Sequence, residues 1–216
     1  MAKQDTSRAV AQALLDIEAV QFVTDSPLTL KSGMRSPLYV DNRVLPFHPE
    51  SWKVVLSAWQ AKISEHNVSF DCLAGIETAG IPHSATLGFL LEKPSVFIRK
   101  KAKDHGTKSK IEGGDVTGKS VLLIEDHVTT GGSSLAGVQS IRDAGGQVDV
   151  CLSITWYDFL ETRQAFDDAG VALYSLVSVS EILDVALERK TIAHENNAVI
   201  REWLVDPHGW SARQKD

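Results

Sequence analysis

From Phe70 onward the chain alternates short apolar runs with amphipathic stretches, and this constrains the fold more than any other feature. The spacing predicts strands over 70–76, 96–99, 120–125, 148–155 and 171–176. It predicts helices over 81–91, 132–144 and 158–169, the last two closed by Gly145-Gly146 and Gly170. Near-continuous apolar strands are buried on both faces, and helices between them supply the crossovers that parallel strands need. The expected fold class is α/β, a mostly parallel central sheet flanked by helices. Ligands of such sheets bind beyond the carboxyl ends of the strands. Chemistry is therefore expected at residues 76–80, 99–106, 125–133 and 155–158.

Before this region, residues 5–20 read as a helix with Val10, Leu14 and Ile17 on one face. Residues 22–45 are short apolar pieces broken by Pro27, Gly33 and Pro37, an irregular strand-and-loop hood. Pro49 opens a helix that aligns Trp52, Val55, Leu56, Trp59 and Ile63, a core or subunit contact. After the sheet, Ser178 and Glu181 form a capping box for another helix, and a last helix over 193–204 precedes a polar tail. The expected organisation is a single domain over 1–216, with a hood to about 45, a core to about 190 and a C-terminal helix and tail beyond.

A chain of 216 residues buries about 70% of its unfolded surface, enough for a core without disulfides or metal. Cys72 and Cys151 lie inside apolar runs, as buried free thiols of a reducing cytoplasm would. The net charge of −6 argues against a general nucleic-acid or membrane-surface binder. No apolar run nears the roughly 18 residues of a membrane span, and Met-Ala-Lys-Gln-Asp lacks the apolar stretch of a signal peptide. A cytoplasmic protein with neither nucleic-acid nor membrane partners is expected.

Gly113 to Ser120 formally matches a nucleotide-phosphate loop, G-x-x-x-x-G-K-S. Such a loop must follow a strand and open a helix. Here a polar segment precedes it and the apolar run Val121–Ile124 follows, so Gly118-Lys119-Ser120 reads as a turn into a strand.

Val121-Leu122-Leu123-Ile124-Glu125-Asp126-His127-Val128-Thr129-Thr130-Gly131-Gly132-Ser133 carries most of the functional information. An apolar strand ends in two carboxylates, and a hydroxyl- and glycine-rich turn leads into a helix. The turn suits a phosphate, because backbone N–H groups converge there and the helix dipole adds favourable charge. Carboxylates repel phosphate but accept hydrogen bonds from adjacent hydroxyls of a neutral polyol. A phosphate beside a diol describes a ribose 5-phosphate. A capped strand-to-helix turn with exposed acids is the bland alternative.

This segment resembles the phosphoribosyl-diphosphate signature of type I phosphoribosyltransferases. The resemblance implies that Glu125 and Asp126 hold the ribose hydroxyls and that His127, Val128, Thr129, Thr130, Gly131, Gly132 and Ser133 surround the 5-phosphate. His127 stands where the family usually has an apolar residue, so a metal role and packing beside the strand end are both open.

Arg99-Lys100-Lys101-Ala102-Lys103-Asp104-His105-Gly106 reads by itself as a solvated basic loop. It also resembles the catalytic loop of orotate phosphoribosyltransferases, which closes over the neighbouring subunit's site. That resemblance implies diphosphate contacts from Arg99, Lys100, Lys103 and His105, with Lys103 the main catalytic cation, and a homodimer with shared sites. Residues 30–41 resemble the Lys-Ser-Gly-x-x-Ser-Pro segment that lines the orotate pocket, which implies substrate roles for Lys31 and Tyr39. Gly75 to Pro82 is similar to the diphosphate loop and implies a role for Thr78, although the Tyr-Lys of many members is Thr78-Ala79 here. Thr155-Trp156-Tyr157-Asp158 replaces the Asp-Arg pair that reads the pyrimidine in many members. The resemblance spans about residues 7–190 and implies orotate and phosphoribosyl diphosphate as substrates, magnesium as cofactor and a step in UMP synthesis. A transferase for another base and a non-catalytic regulator on the same fold are the alternatives.

Overall fold

The structure, a computed structural model, describes residues 3–30, 33–100 and 110–214. The chain opens with α1 (Lys3–Asp16) and a set of short strands: β1 (Val20–Phe22), β2 (Leu28–Thr29), β3 (Arg35–Ser36) and β4 (Leu38–Val40). A 3-10 turn over Asn42–Phe47 leads to α2 (Pro49–Glu65). Then come β5 (Cys72–Ile76), α3 (Gly80–Leu90), β6 (Ser95–Ile98), β7 (Ile111–Glu112), β8 (Ser120–Val128), α4 (Gly132–Asp143), β9 (Gln147–Trp156), α5 (Leu160–Asp168) and β10 (Ala172–Ser178). Three helices close the chain: α6 (Val179–Glu188), α7 (His194–Val205) and α8 (Pro207–Arg213).

The chain forms two compact units. One holds residues 53–176, the other the residues up to Trp52 together with those from Val177. In the first, the central sheet runs β10-β9-β8-β5-β6-β7. β6, β5, β8 and β9 are mutually parallel, and β7 pairs antiparallel to β6. Alternate residues of these strands (Ala74, Ile98, Leu123 and Cys151 among them) pack with Val138, Ile141 and Phe166 from the covering helices. Each fully buried side chain of this size contributes about 1.5–3 kcal/mol. Cys72 and Cys151 are free and buried. Trp59 is core, its indole N–H donating to the Ser153 carbonyl.

In the second unit, β1 pairs with β4 and β2 with β3, and α1 packs on α6. The capping box at Ser178 and Glu181 is formed as the spacing predicts.

Four boundaries differ from expectation for identifiable reasons. The first helix stops at Asp16 because Glu18 adopts a positive φ of 54° and Val20 enters a strand. β8 runs three residues past Glu125, because His127 and Val128 pair with Thr155 and Trp156. The polar stretch after Lys100 contains β7. The polar tail contains α8: Pro207 starts the helix, the Asp206 carboxylate accepts the Gly209 N–H, and Trp210 is buried. Gly118 lies in a turn, its N–H bonded to the Gly145 carbonyl, and Ser120 begins β8 directly, as the strand reading of that segment requires.

Candidate active site

The parallel register brings the carboxyl ends of β5, β6, β8 and β9 to one edge, and with them Glu77, Arg99, Asp126 and Trp156. The two acids of β8 are not equivalent. Glu125 is 4% exposed; its Oε2 accepts from the Ser133 hydroxyl at 3.3 Å and its Oε1 from the Asp126 N–H at 3.2 Å. Asp126 is half-buried. Burial raises the Glu125 pKa well above the usual carboxyl range; the Asp126 charge and a side-chain hydrogen bond to Asp126 push the same way. Two carboxyls this close therefore disfavour being ionised together.

A raised folded value means that Glu125 favours the fold fully below the ordinary carboxyl range and loses this as pH rises through the folded value. Glu125→Gln is expected to raise the melting temperature at pH 8, with the gain vanishing towards about pH 4. Melts across that range check it, and a pH-independent difference would mean that the fold does not raise the Glu125 pKa.

The turn after β8 is fixed from α5. The buried Thr162 hydroxyl donates to the Thr129 carbonyl at 2.7 Å, and the Tyr157 N–H donates to the Val128 carbonyl. Gly131 has a φ of +81°, and a Cβ there would lie 2.8 Å from the Phe166 ring. The structure gives this glycine a conformational and packing reason as well. Gly131 offers no side chain to cap α4. The first N–H groups of that helix can therefore bind an anion. Sequence reasoning missed Thr162, whose signal is a polar residue at helical spacing between Phe159 and Phe166.

The loop after β5 fits tightly against its neighbours. A Cβ on Gly75 would meet the Gly80 carbonyl at 2.5 Å, and one on Gly80 would meet the Ile124 carbonyl at 2.6 Å. The Glu77–Thr78 peptide is cis. Glu77 joins this loop to the end of β6: its N–H donates to the Ile98 carbonyl and its carboxylate accepts the Lys100 N–H at 2.8 Å. The Arg99 guanidinium pairs with Glu112 at 3.6 Å. An open cleft of ≈ 120 Å³ is lined by Arg99, Lys100, Lys110 and Ser133, together with Ile76 and Ile98. Lys110 is a further cation that sequence reasoning did not assign. Lys31, Lys103 and His105 lie outside the described residues.

His127 packs beside the strand end. Its Nδ1 lies 2.8 Å from the Thr155 hydroxyl, and Tyr157 meets the ring edge-on at 4.5 Å between centroids. Its Nε2 is shielded from solvent without a partner among the described residues. Burial lowers its pKa to about 4, so the ring is neutral near pH 7. At the end of β9, Asp158 pairs with Arg163, whose guanidinium lies 4.7 Å from the Trp156 ring centroid. An aspartate–arginine pair thus stands after β9, assembled from two positions. Tyr39 belongs to the other unit, where Arg43 donates to its hydroxyl at 2.7 Å while pairing with Asp41.

A carboxyl pair thus lies beside an uncapped helix start at the edge of the parallel sheet. Residues 48–164 match the phosphoribosyl transferase domain family. Orotate phosphoribosyltransferase of Listeria monocytogenes is 36% identical over 94% of this chain and 97% of its own length. Among solved structures, Leishmania donovani UMP synthase matches 92% of the chain at 28% identity and TM-score 0.81; the chain spans 42% of that protein. Orotate phosphoribosyltransferase of Aeropyrum pernix matches 85% of the chain and 99% of its own length at 26% identity and TM-score 0.73. The chain belongs to the phosphoribosyltransferase family, and within it to the orotate phosphoribosyltransferases.

Proposed function

We propose that the whole chain, as one domain, converts orotate and phosphoribosyl diphosphate to orotidine 5-phosphate and diphosphate in UMP synthesis. The observation that carries this is the Glu125–Asp126 pair placed beside the Thr129–Ser133 turn and the α4 N-terminus. The bond from the ribosyl carbon to diphosphate breaks as the bond to the base nitrogen forms, through a cationic, oxocarbenium-like state. Asp126 and Glu125 accept from the ribose hydroxyls and favour that positive charge. The turn and α4 hold the 5-phosphate. Thr78, Arg99, Lys100, Lys103 and His105 receive the diphosphate, and one such donor is worth about 2.7–4 kcal/mol by analogy with oxyanion donors. Lys31 and Tyr39 take the base.

Among the described residues no three carboxylate, imidazole or thiol groups converge on a metal position. Magnesium would be held mostly by water and substrate oxygens, without a direct carboxylate cage. That ion would neutralise charge between diphosphate and ribose. A homodimer is supported by Phe89, 84% exposed at the end of α3 beside the exposed Leu90; shared sites follow from the likeness of the 99–106 loop alone. A cytoplasmic setting is supported by the free, buried Cys72 and Cys151. Among the described residues no helix is long and apolar enough to cross a membrane.

The reading is tested by omission. Orotate absorbance should fall only when phosphoribosyl diphosphate and magnesium are both present. Loss of orotate without the diphosphate donor would contradict it. A transferase for another base is the second reading, favoured by Thr155-Trp156-Tyr157-Asp158 standing where many members have an Asp-Arg pair.

A further inference from the structure

The C-terminal helices reach a strand that no local signal in the sequence connects with them. β2 and β3 pair over only two residues each, Leu28 with Ser36 and Thr29 with Arg35. An isolated ladder of that length is not stable in water. Its outer edge is covered by side chains from α7 and α8. The Arg35 N–H donates to the Ser211 hydroxyl at 2.8 Å, and the Arg35 carbonyl accepts from the Trp203 indole N–H at 2.9 Å. Both backbone groups of one strand residue are therefore held by the last two helices. Trp203 is fully buried and Trp210 nearly so, which fixes the donor's orientation. Arg213 pairs with Glu202 at 2.9 Å and ties α8 to α7.

From Arg35 the described chain leads back to Leu30 and forward to Tyr39, a group assigned to the base. On one side, the Leu30 N–H donates to the Met34 carbonyl and the Gly33 N–H to the Leu30 carbonyl. On the other, the buried Ser36 hydroxyl donates to the Leu38 carbonyl at 2.7 Å, at the start of the strand that carries Tyr39. Tyr39 is then fixed at its hydroxyl by Arg43.

We propose that α7 and α8 form a brace that positions the β2–β3 hairpin and Tyr39 for the base, with Trp203 and Ser211 as its positioning residues. This rests on the orotate reading above, and it gives the chain's end a role in base affinity. A group held about an ångström out of place weakens a site without unfolding the protein.

The test uses the full chain with Ser211→Ala, Ser211→Thr and Trp203→Phe. Ser211→Ala removes the acceptor for the Arg35 N–H; threonine restores it; phenylalanine keeps the ring but removes the indole N–H. Hydrogen exchange at the Arg35 amide should accelerate in Ser211→Ala and return towards wild type in Ser211→Thr. The KM for orotate should rise by about fivefold in Ser211→Ala and Trp203→Phe, the equivalent of one lost hydrogen bond. The KM for phosphoribosyl diphosphate and kcat should stay at wild-type values, whereas a merely structural role would reduce the active fraction and leave KM alone. Wild-type exchange at Arg35 in Ser211→Ala overturns the brace, and so does faster exchange with an unchanged KM for orotate. A wild-type protein inert towards orotate would instead sink the activity reading, while the exchange arm still decides whether the brace exists.

Discussion

Asp126→Asn is expected to lower turnover by at least about a hundredfold, the scale of losing one preorganised charged contact to the transition state. Asparagine keeps the shape of the half-buried side chain and removes a negative charge beside Glu125, so the fold should survive. Lys103→Ala should be comparably inactive, because the departing diphosphate loses its main cation. If the basic loop acts across a dimer, the two inactive variants complement each other. Random exchange makes about half the dimers mixed, and each mixed dimer has one site with both lesions and one with neither. About a quarter of all sites are then intact, and activity should rise towards that fraction of wild type. Verified exchange with no recovery would show that Lys103 serves its own subunit.

Gly131→Val is expected to destabilise the fold by about 2–4 kcal/mol, because two costs add at one position. The φ of +81° excludes a β-branched residue, and its Cβ would begin 2.8 Å from the Phe166 ring. Phe166 is itself buried in the core against which α4 packs, so it has little room to retreat. The melting temperature should fall by roughly 5–15 °C. An unchanged melt would mean that the turn relaxes away from Phe166. Phosphate affinity measured in this variant reports on a distorted turn rather than on backbone approach alone.

The sheet was legible because Val121–Ile124 and the other strand runs are apolar on both faces and are separated by helices with clear glycine stops. The ribose–phosphate segment was legible because all its parts are local: strand, two acids, turn and helix start. What escaped depends on partners distant in sequence. Thr162 meets Thr129, Glu112 pairs with Arg99, and Ser211 meets Arg35, and nothing local marks any of these contacts. The inequality of Glu125 and Asp126 was hidden too, because it arises from β8 continuing to Val128 and from the burial of one carboxyl alone. α8 was missed because its polar composition concealed the capping by Asp206 and the single buried anchor, Trp210.

The central claim is that this site joins phosphoribosyl diphosphate to orotate although Thr155-Trp156-Tyr157-Asp158 carries no adjacent Asp-Arg pair. A competition in one vessel tests it most directly, with equal amounts of orotate, uracil, hypoxanthine and guanine, magnesium, and limiting phosphoribosyl diphosphate. Orotidine 5-phosphate should be the dominant nucleotide formed, with diphosphate released in equal amount. A different nucleotide as the main product, with orotate left intact, would contradict the account.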